Sequence, residues 1–329
     1  LGRRAWLYCG GRHAAAHTAA NTHAIRANHG CRAPRSAMTQ APDSTMTALA
    51  PSGWRWDSPA ARKAGDVSAH ARLYLRMMAQ SDYAARLAPA VGENYVDVLD
   101  IGAGGGSVTR HCLADGARWC AVEPNPAMGE ALAAQAPALA ARGIRLEHIA
   151  ARWQDLPKSV HADAVFAFNI GDNHHAADAL FDALAPRARR EMVWIVPAQA
   201  APASFCLAGF LPADFYGDNA VNRQPAVERT LEQLGQSRQP AQIDYIDWQC
   251  RFNFATRQEA ARHFLERLDC SADSAQGRAL RAYLDHALQA TGDFAGNATR
   301  FAARNRQNGG NGWLAACAKR SAVVRWFFS

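Results

Sequence analysis

Residues 96–198 alternate short runs rich in β-branched and aromatic residues with runs of helical spacing. The five β-rich runs are VDVLDIG, RWCAVEP, IRLEHIAA, DAVFAFNI and EMVWIVPA, and helical runs such as 107–116 and 126–143 separate most of them. Strands that alternate with helices in this way form βαβ units, in which the strands are parallel and helices cover both faces of the sheet. The sequence therefore predicts an α/β fold with a doubly wound, mostly parallel sheet.

Four glycines fall within positions 102 to 106, directly after the first predicted strand. Together with the acid at the end of that strand they form the pattern D-x-G-x-G-x-G, made by Asp100, Gly102, Gly104 and Gly106. Ligands of open α/β sheets bind beyond the carboxyl ends of the strands, and glycine lets a backbone approach a ligand with no Cβ in the way. This loop is thus predicted to hold a ligand close to the main chain.

Two common glycine-loop classes fit this pattern poorly. A dinucleotide-binding G-x-G-x-x-G that starts at Gly102 needs a glycine at position 107, where the chain has Ser107. A phosphate-binding P-loop needs a lysine before its final serine or threonine, and the loop contains no lysine. A nicotinamide-dependent reductase is therefore disfavoured.

The second predicted strand ends in an acid, Glu123, seventeen residues after Gly106, and PNPAM follows it. With the glycine pattern, this arrangement resembles the class I S-adenosylmethionine-dependent methyltransferases. The resemblance implies a seven-stranded sheet with an antiparallel seventh strand, S-adenosyl-L-methionine as cofactor and S-adenosyl-L-homocysteine as product. It also implies that the cofactor lies against the loop and the acid, at Asp100, Gly102, Ala103, Gly104, Gly106, Glu123 and Pro124.

The two acids suit this ligand chemically. A carboxylate accepts hydrogen bonds from two hydroxyls, so Glu123 suits the 2′ and 3′ hydroxyls of a ribose. The charge of Asp100 could fix the loop through backbone N–H groups or reach the ammonium group of the ligand. The alternative for both is an ordinary solvated acid at the end of a strand.

After the third predicted strand, the family often has an acid that reaches the adenine amino group. This chain has ARWQDL there, with Arg152 in place of that acid. Trp153 could stack on the adenine and Gln154 or Asp155 could supply a polar contact. Alternatively, Trp153 is a core residue and Asp155 a helix cap.

The fourth predicted strand runs into FNIGDNHH, where family members line the cofactor and face the substrate, here from Asn169 onward. The adjacent His174 and His175 are candidates for a catalytic base or for orienting a substrate, because imidazole exchanges protons near neutral pH. The alternative is that Asp172 or Asn173 caps a helix that begins near Ala176. No metal site is predicted.

The domain organisation is predicted from shifts in composition. Residues 1–45 are expected to be a disordered extension, either an organellar transit peptide or sequence upstream of a start at Met38 or Met46. Residues 46–95 would form a helical lid segment and residues 96–198 the cofactor-binding core. Residues 199–329 would supply a helical insertion over the active site and the last strands of the sheet.

Charge and cysteine usage bear on partners and location. The formal net charge of +7 includes six arginines within residues 1–42, which contain no acid and no lysine, so the rest of the chain is nearly neutral. A basic groove for nucleic acid is therefore not predicted, nor is a membrane-spanning run, and a small-molecule acceptor is favoured. The alternatives are a protein or RNA acceptor, or a non-catalytic binding module. Eight cysteines without a C-x-x-C pair favour a cytoplasmic protein, and nothing predicts its oligomeric state.

Overall fold

The fold is described from a computed structural model. It covers residues 67–199, 201–202, 210–211, 215, 221–222, 224–268, 270–290 and 313–329. The first predicted domain, residues 1–45, lies outside the described residues, as does much of the segment after position 199. Among the helices of the described ranges, none has the length and apolar character to cross a bilayer.

Seven strands form the main sheet. They are β1 (Tyr95–Ile101), β2 (Leu113–Val122), β3 (Arg145–Ile149), β4 (Ala162–Phe168), β5 (Ala188–Pro197), β6 (Gln242–Phe254) and β7 (Trp313–Phe327). Their spatial order is β3-β2-β1-β4-β5-β7-β6, and a two-residue strand, Gln289–Ala290, adds to β7. The strands β1 to β5 pair in parallel, whereas β7 is antiparallel to both of its neighbours. The predicted seven-stranded, mostly parallel sheet with an antiparallel seventh strand is confirmed.

Helices cover both faces of this sheet. They are α1 (Val67–Gln80), α2 (Tyr83–Val91), α3 (Thr109–Cys112), α4 (Pro126–Ala133), α5 (Ala136–Ala141), α6 (Asp172–His175), α7 (Ala177–Leu184), α8 (Ala226–Leu234), α9 (Arg257–Arg267) and α10 (Ala275–Ala287). One buried core contains apolar side chains of α1 to α5, α9 and α10, and the other contains those of α7 and α8. The sheet is thus doubly wound, as the alternating pattern predicts.

Two predicted helices differ from the structure. The helix predicted over 107–116 is limited to α3, because Leu113 already pairs with Tyr95 of β1 and buries its side chain in the core. The weak helical preference of Thr109, His111 and Cys112 in α3 does not outweigh that packing. The helix predicted over 126–143 divides into α4 and α5, since Pro137 has no N–H to continue the α4 ladder and occupies the first turn of α5 instead.

The outer edge of β6 is covered by the turn that joins α1 to α2. The backbone N–H groups of Gln249, Arg251 and Asn253 donate to side-chain oxygens of Asp82, Ser81 and Gln80, at 2.6, 3.1 and 2.7 Å respectively. The N–H of Asp82 in turn donates to the carbonyl of Gln249 at 3.2 Å. An exposed strand edge is a template for pairing with other chains, and this turn occupies it.

We expect Asp82→Ala to destabilise the protein by about 2 kcal/mol, because it leaves a half-buried strand N–H without its charged acceptor. The measurement is the urea midpoint, with Glu266→Ala, a change at an exposed position of α9, as the control. Equal midpoints for the two variants would show that this turn does not stabilise the edge.

The strands β6 and β7 extend beyond the end of β5. The last pair between β7 and β5 joins Ser321 to Pro197, and residues 313–320 of β7 pair with β6 and, at their tip, with Gln289–Ala290. The helices α9 and α10, which lie between these strands in sequence, pack on this ribbon through residues such as Phe264 and Leu280. The helical insertion over an active site stays a prediction.

Candidate functional site

The glycine loop is fastened to the end of β2. The N–H groups of Gly102 and Ala103 both donate to the carbonyl of Val122, at 2.8 and 3.1 Å, and the N–H of Gly106 donates to Ala103 at 2.9 Å. Gly102, Gly104 and Gly106 have φ of +63°, +55° and +63°, which is the left-handed region that favours glycine. These bonds place the loop at the carboxyl ends of β1 and β2, where the sequence predicts a ligand.

Glu123 holds the loop from the neighbouring strand. Its Oε2 accepts the N–H of Gly104 at 2.9 Å, and its Oε1 accepts the N–H of Asn125 at 2.8 Å. The side chain is largely buried, with 8% of the residue exposed. Each carboxylate oxygen can accept more than one hydrogen bond, so one N–H on each leaves capacity for two ligand hydroxyls.

The residues that follow Glu123 lead into the first turn of α4. Pro124 is exposed and follows the acid directly. Asn125, which the sequence reading did not single out as a site residue, caps α4: its side chain accepts the N–H groups of Ala127 and Met128 at 2.9 and 3.3 Å. The PNPAM segment therefore starts α4, and the first turn of this helix lies next to Glu123.

Asp100 lies beneath the loop. It is only 1% exposed, and its Oδ2 accepts the indole N–H of Trp119 at 3.2 Å. Its Oδ1 is buried and has no hydrogen-bond partner among the described residues. Burial raises the pKa of this carboxyl to about 7, although hydrogen bonds from Thr109 and Trp119 oppose the shift. Asp100 is therefore not a solvated acid, because it is buried. It also does not fix the loop through backbone N–H groups, because its one oxygen with a partner accepts the indole N–H of Trp119.

Asn169 follows β4 and closes the other side of this polar region. Its backbone has φ +54°, which asparagine tolerates better than most residues, and its N–H donates to the carbonyl of Ile195 at 2.8 Å. Its side-chain amide donates to the hydroxyl of Tyr83, while its Oδ1 is buried without a partner in the part of the chain described. Tyr83, the first residue of α2, thus accepts a hydrogen bond from Asn169 and interacts electrostatically with Asp100.

Tyr83 is a residue to which the sequence reading gave no site role. Full burial raises the pKa of its hydroxyl well above the usual range, and the nearby Tyr74 and Asp100 add to that shift. Its ring packs edge-on against Trp248 of β6, with centroids 4.8 Å apart. Tyr83 precedes the first strand in the sequence, where packing against the sheet equally well explains an aromatic residue.

The predicted adenine contacts lie after β3. Trp153 and Gln154 belong to a short 3-10 helix, Trp153–Asp155. Trp153 is half-buried against the core that contains α7 and α8, whereas Gln154 and Asp155 are exposed. The alternative of Asp155 as a helix cap is wrong, because it is the last residue of that 3-10 helix. Stacking of Trp153 on a purine stays a prediction.

Of the two candidate histidines, the structure describes the side chain of His175. The side chain of His174 lies outside the described residues, while His175 is exposed at the end of α6. The capping alternative for this segment is wrong: α7 begins after Ala176, and the N–H of Ala177 donates to the side chain of Gln233 at 2.8 Å. A catalytic role for either histidine stays a prediction.

Asn173 ties this segment to the sheet. Its side-chain amide donates to the carbonyls of Ala167 and Ile195, at 2.9 and 3.3 Å, and its own carbonyl accepts the hydroxyl of Thr230 at 2.6 Å. The residue is fully buried. It therefore holds the carboxyl ends of β4 and β5 together instead of capping a helix.

The lid segment predicted over 46–95 contains α1 and α2. Residues 46–66 lie outside the described part of the chain, but α1 touches the glycine loop: a Cβ built on Gly105 would lie 2.4 Å from Leu75. A cavity of about 700 Å³ between α1, α2 and α3 is bordered by Gly105 and Ser107. Neither Glu123 nor Asn169 lines it. Closure of this segment over a ligand stays a prediction.

We expect Gly106→Ala to destabilise the protein by about 2–3 kcal/mol. An added Cβ would lie 2.3 Å from the ring of Trp119, which is fully buried and bonded to Asp100, and the residue has positive φ. Gly116→Ala is the matched control, because Gly116 also has positive φ but nothing lies within 4 Å of the added atom. Urea unfolding of both variants measures the difference, and equal losses would contradict a packing role for Gly106.

The described residues contain no group of three or more His, Cys, Asp or Glu side chains arranged to hold a metal ion. The arrangement at the carboxyl ends of β1, β2 and β4 is instead suited to an organic ligand with hydroxyls and a cationic group. Glu123 can accept the hydroxyls. Asp100 and Asn169 offer two buried oxygen acceptors for donors of the cationic group.

Residues 98–190 match a family model described as a methyltransferase domain. The match begins in β1 and ends in β5, so it includes the glycine loop, Glu123 and Asn169. No curated protein sequence is significantly similar to this chain. The family match therefore rests on the part of the chain that carries the site.

Solved structures with similar folds include magnesium protoporphyrin IX methyltransferase from Synechocystis, crystallised with bound S-adenosylmethionine. It is 18% identical over 42% of this chain and 61% of its own, with a TM-score of 0.28, so this chain spans about three fifths of that protein. A methyltransferase-like protein from Bacillus halodurans is 10% identical over 73% of this chain and 96% of its own, with a TM-score of 0.38.

Proposed function

We propose that this protein is a class I methyltransferase that moves a methyl group from S-adenosylmethionine to a small-molecule acceptor, because residues 98–190 match a methyltransferase domain model. S-adenosylmethionine is the cofactor of this family, and S-adenosylhomocysteine is the product after transfer. The observation that carries the proposal is the contact between Glu123 and Gly104, which joins the acid after β2 to the glycine loop. A nucleoside held there would lie across the ends of β1 and β2.

The residues present fit each polar part of this cofactor. The oxygens of Glu123 suit the ribose hydroxyls, since each already accepts one N–H and keeps a lone pair. The unpartnered oxygens of Asp100 and Asn169 suit an ammonium group, which brings only donors. Trp153 and Gln154, after the neighbouring strand β3, are the candidates for the adenine.

The bound cofactor supplies an electrophilic methyl group on a sulfonium. The chain then needs to align an acceptor for in-line displacement and to exclude water, and orientation alone can contribute about 7–11 kcal/mol in the best intramolecular cases. His174 and His175 follow β4 and are the candidates for a base if the acceptor must lose a proton. A base adds roughly 10² to 10⁴ in rate, so activity without one is also compatible with this chemistry.

A small-molecule acceptor is supported by the near neutrality of the chain outside residues 1–42, since RNA binding relies on concentrated positive charge. A cytoplasmic location is part of the same proposal, supported by free cysteines such as Cys112 and Cys120 within the core.

The test is calorimetric titration of the full chain with S-adenosylmethionine, S-adenosylhomocysteine and, as a comparison ligand, NADH. We expect micromolar binding of the two sulfur ligands and none of NADH. A folded protein that binds neither sulfur ligand would overturn the proposal in favour of a non-catalytic module.

The acceptor class is tested with methyl-labelled cofactor and cell extract divided by ultrafiltration. Label that appears in the small-molecule filtrate supports the proposed acceptor class. Label retained above the membrane and released by ribonuclease or by protease would favour an RNA or protein acceptor instead. Cofactor binding without any transfer in either fraction would contradict methyltransferase activity.

A further inference from the structure

The buried carboxyl of Asp100 faces acidic and neutral groups. The side chains that act on it belong to β2 and the acid that follows it, to α3 and to α2. The indole N–H of Trp119 donates a hydrogen bond to it, and Thr109 lies beside it. The titratable groups coupled to it electrostatically are those of Glu123, Tyr83, Cys112 and Cys120. Within the described chain it forms no ion pair with a basic side chain.

This environment favours the neutral acid. Moving an ionised carboxylate out of water is unfavourable unless a cation or several donors compensate for the lost hydration. Here one oxygen has an indole donor and the other is buried without a partner. Burial accordingly raises the pKa of Asp100 to about 7, so both protonation states are populated at neutral pH.

A ligand ammonium would reverse this preference. Placed against Oδ1 of Asp100, it would give that acceptor its missing donor and would bring a positive charge into hydrogen-bond contact with the carboxyl. An adjacent opposite charge favours the ionised form of an acid. The proton of Asp100 then has to leave as the cation enters.

We propose that binding of the cofactor is coupled to ionisation of Asp100, whose proton passes to solvent as the ammonium group of the cofactor takes its place. This inference rests on the proposed function, since it concerns the same ligand. The coupling makes cofactor affinity depend on pH near neutrality. With a carboxyl that titrates near pH 7, affinity rises about tenfold between pH 6 and pH 8.

The experiment is calorimetric titration of the full chain with S-adenosylhomocysteine at pH 7, in phosphate and in Tris. These two buffers have very different ionisation enthalpies. Protons released on binding are taken up by the buffer, so the difference between the two observed heats gives the number of protons released. We expect about half a proton per ligand bound, because about half of the Asp100 carboxyls are protonated before binding. Asp100→Asn should abolish the release and weaken binding.

The matched control is Asp163→Asn, a change of the same kind on β4, where the acid pairs with Arg189 at 3.3 Å and is partly exposed. This variant should release as many protons as the wild type. Tight binding by the wild type with equal heats in both buffers would overturn the coupling while leaving the proposed function intact. Absence of binding by folded wild-type protein would instead overturn the proposed function. If Asp100→Asn does not fold, the buffer comparison on the wild type still decides.

Discussion

Glu123→Ala is expected to weaken binding of S-adenosylhomocysteine by at least about 100-fold. The carboxylate would accept two ribose hydroxyls, and hydrogen bonds to a charged group contribute about 1.5–3 kcal/mol each. Loss of both hydrogen bonds therefore costs at least about 3 kcal/mol, which is more than a 100-fold change in the dissociation constant at about 1.4 kcal/mol per tenfold change. The substitution also frees the N–H of Gly104, so the loop loses the contact that places it against β2.

The measurement is calorimetric titration, accompanied by thermal unfolding to verify that the variant is folded. Glu130→Ala provides the control, because Glu130 is an exposed acid on α4, seven positions further along the chain. Glu123→Gln separates the two effects of Glu123→Ala: the amide keeps the size of the side chain and one acceptor but loses the charge. Unchanged affinity in both Glu123 variants would exclude this acid from the binding site.

Asp100→Asn is expected to make the protein without ligand more stable above pH 7, by about 4 kcal/mol at most. The folded-state pKa of about 7 lies above the value of about 4 in an unfolded chain. Between these two values the folded state holds a proton that the unfolded state has lost, so this carboxyl destabilises the fold increasingly as pH rises. Three pKa units at about 1.4 kcal/mol each give the stated size.

Urea unfolding of the wild type and Asp100→Asn over pH 4 to 9 tests this expectation. The difference in unfolding free energy should be small near pH 4, should grow up to about pH 7 and should then level off. Asp163→Asn, measured in parallel, should show no such rise, because that acid pairs with an arginine near the surface. Parallel curves for the wild type and Asp100→Asn would show that folding does not raise the pKa of Asp100.

These two acids illustrate what the sequence could and could not predict. Glu123 was predictable, because its place after a β-rich run and its distance from the glycine loop are properties of the sequence. The burial of Asp100 was not, because it depends on Trp119 and Thr109, which the fold brings over it from β2 and α3. An acid in the same sequence pattern can therefore be a solvated residue that contacts a ligand, or a buried residue with a raised pKa.

The helices and strands also divide into those that the sequence predicts and those that depend on contacts between distant residues. The strands were predicted well, because each is a compact β-rich run between turn residues. The long helix over 126–143 was not, although Pro137 gave a local signal for its division. The alternative that Asp172 or Asn173 caps a helix is wrong, because the side-chain amide of Asn173 instead donates to the carbonyls of Ala167 and Ile195, on two strands. Tyr83 was missed for a similar reason, since its partner Asn169 lies 86 residues away in sequence.

The closure of the β6 edge by Gln80, Ser81 and Asp82 affects how this protein can be cut into fragments. The helices before β1 and the strands after β5 satisfy each other's backbone groups, so the two ends of the fold depend on one another. A fragment limited to residues 98–190 would contain the binding loop but would leave β4 without its full partner strand and lose most of one core. We therefore expect that the segment that matches the methyltransferase domain model does not fold alone.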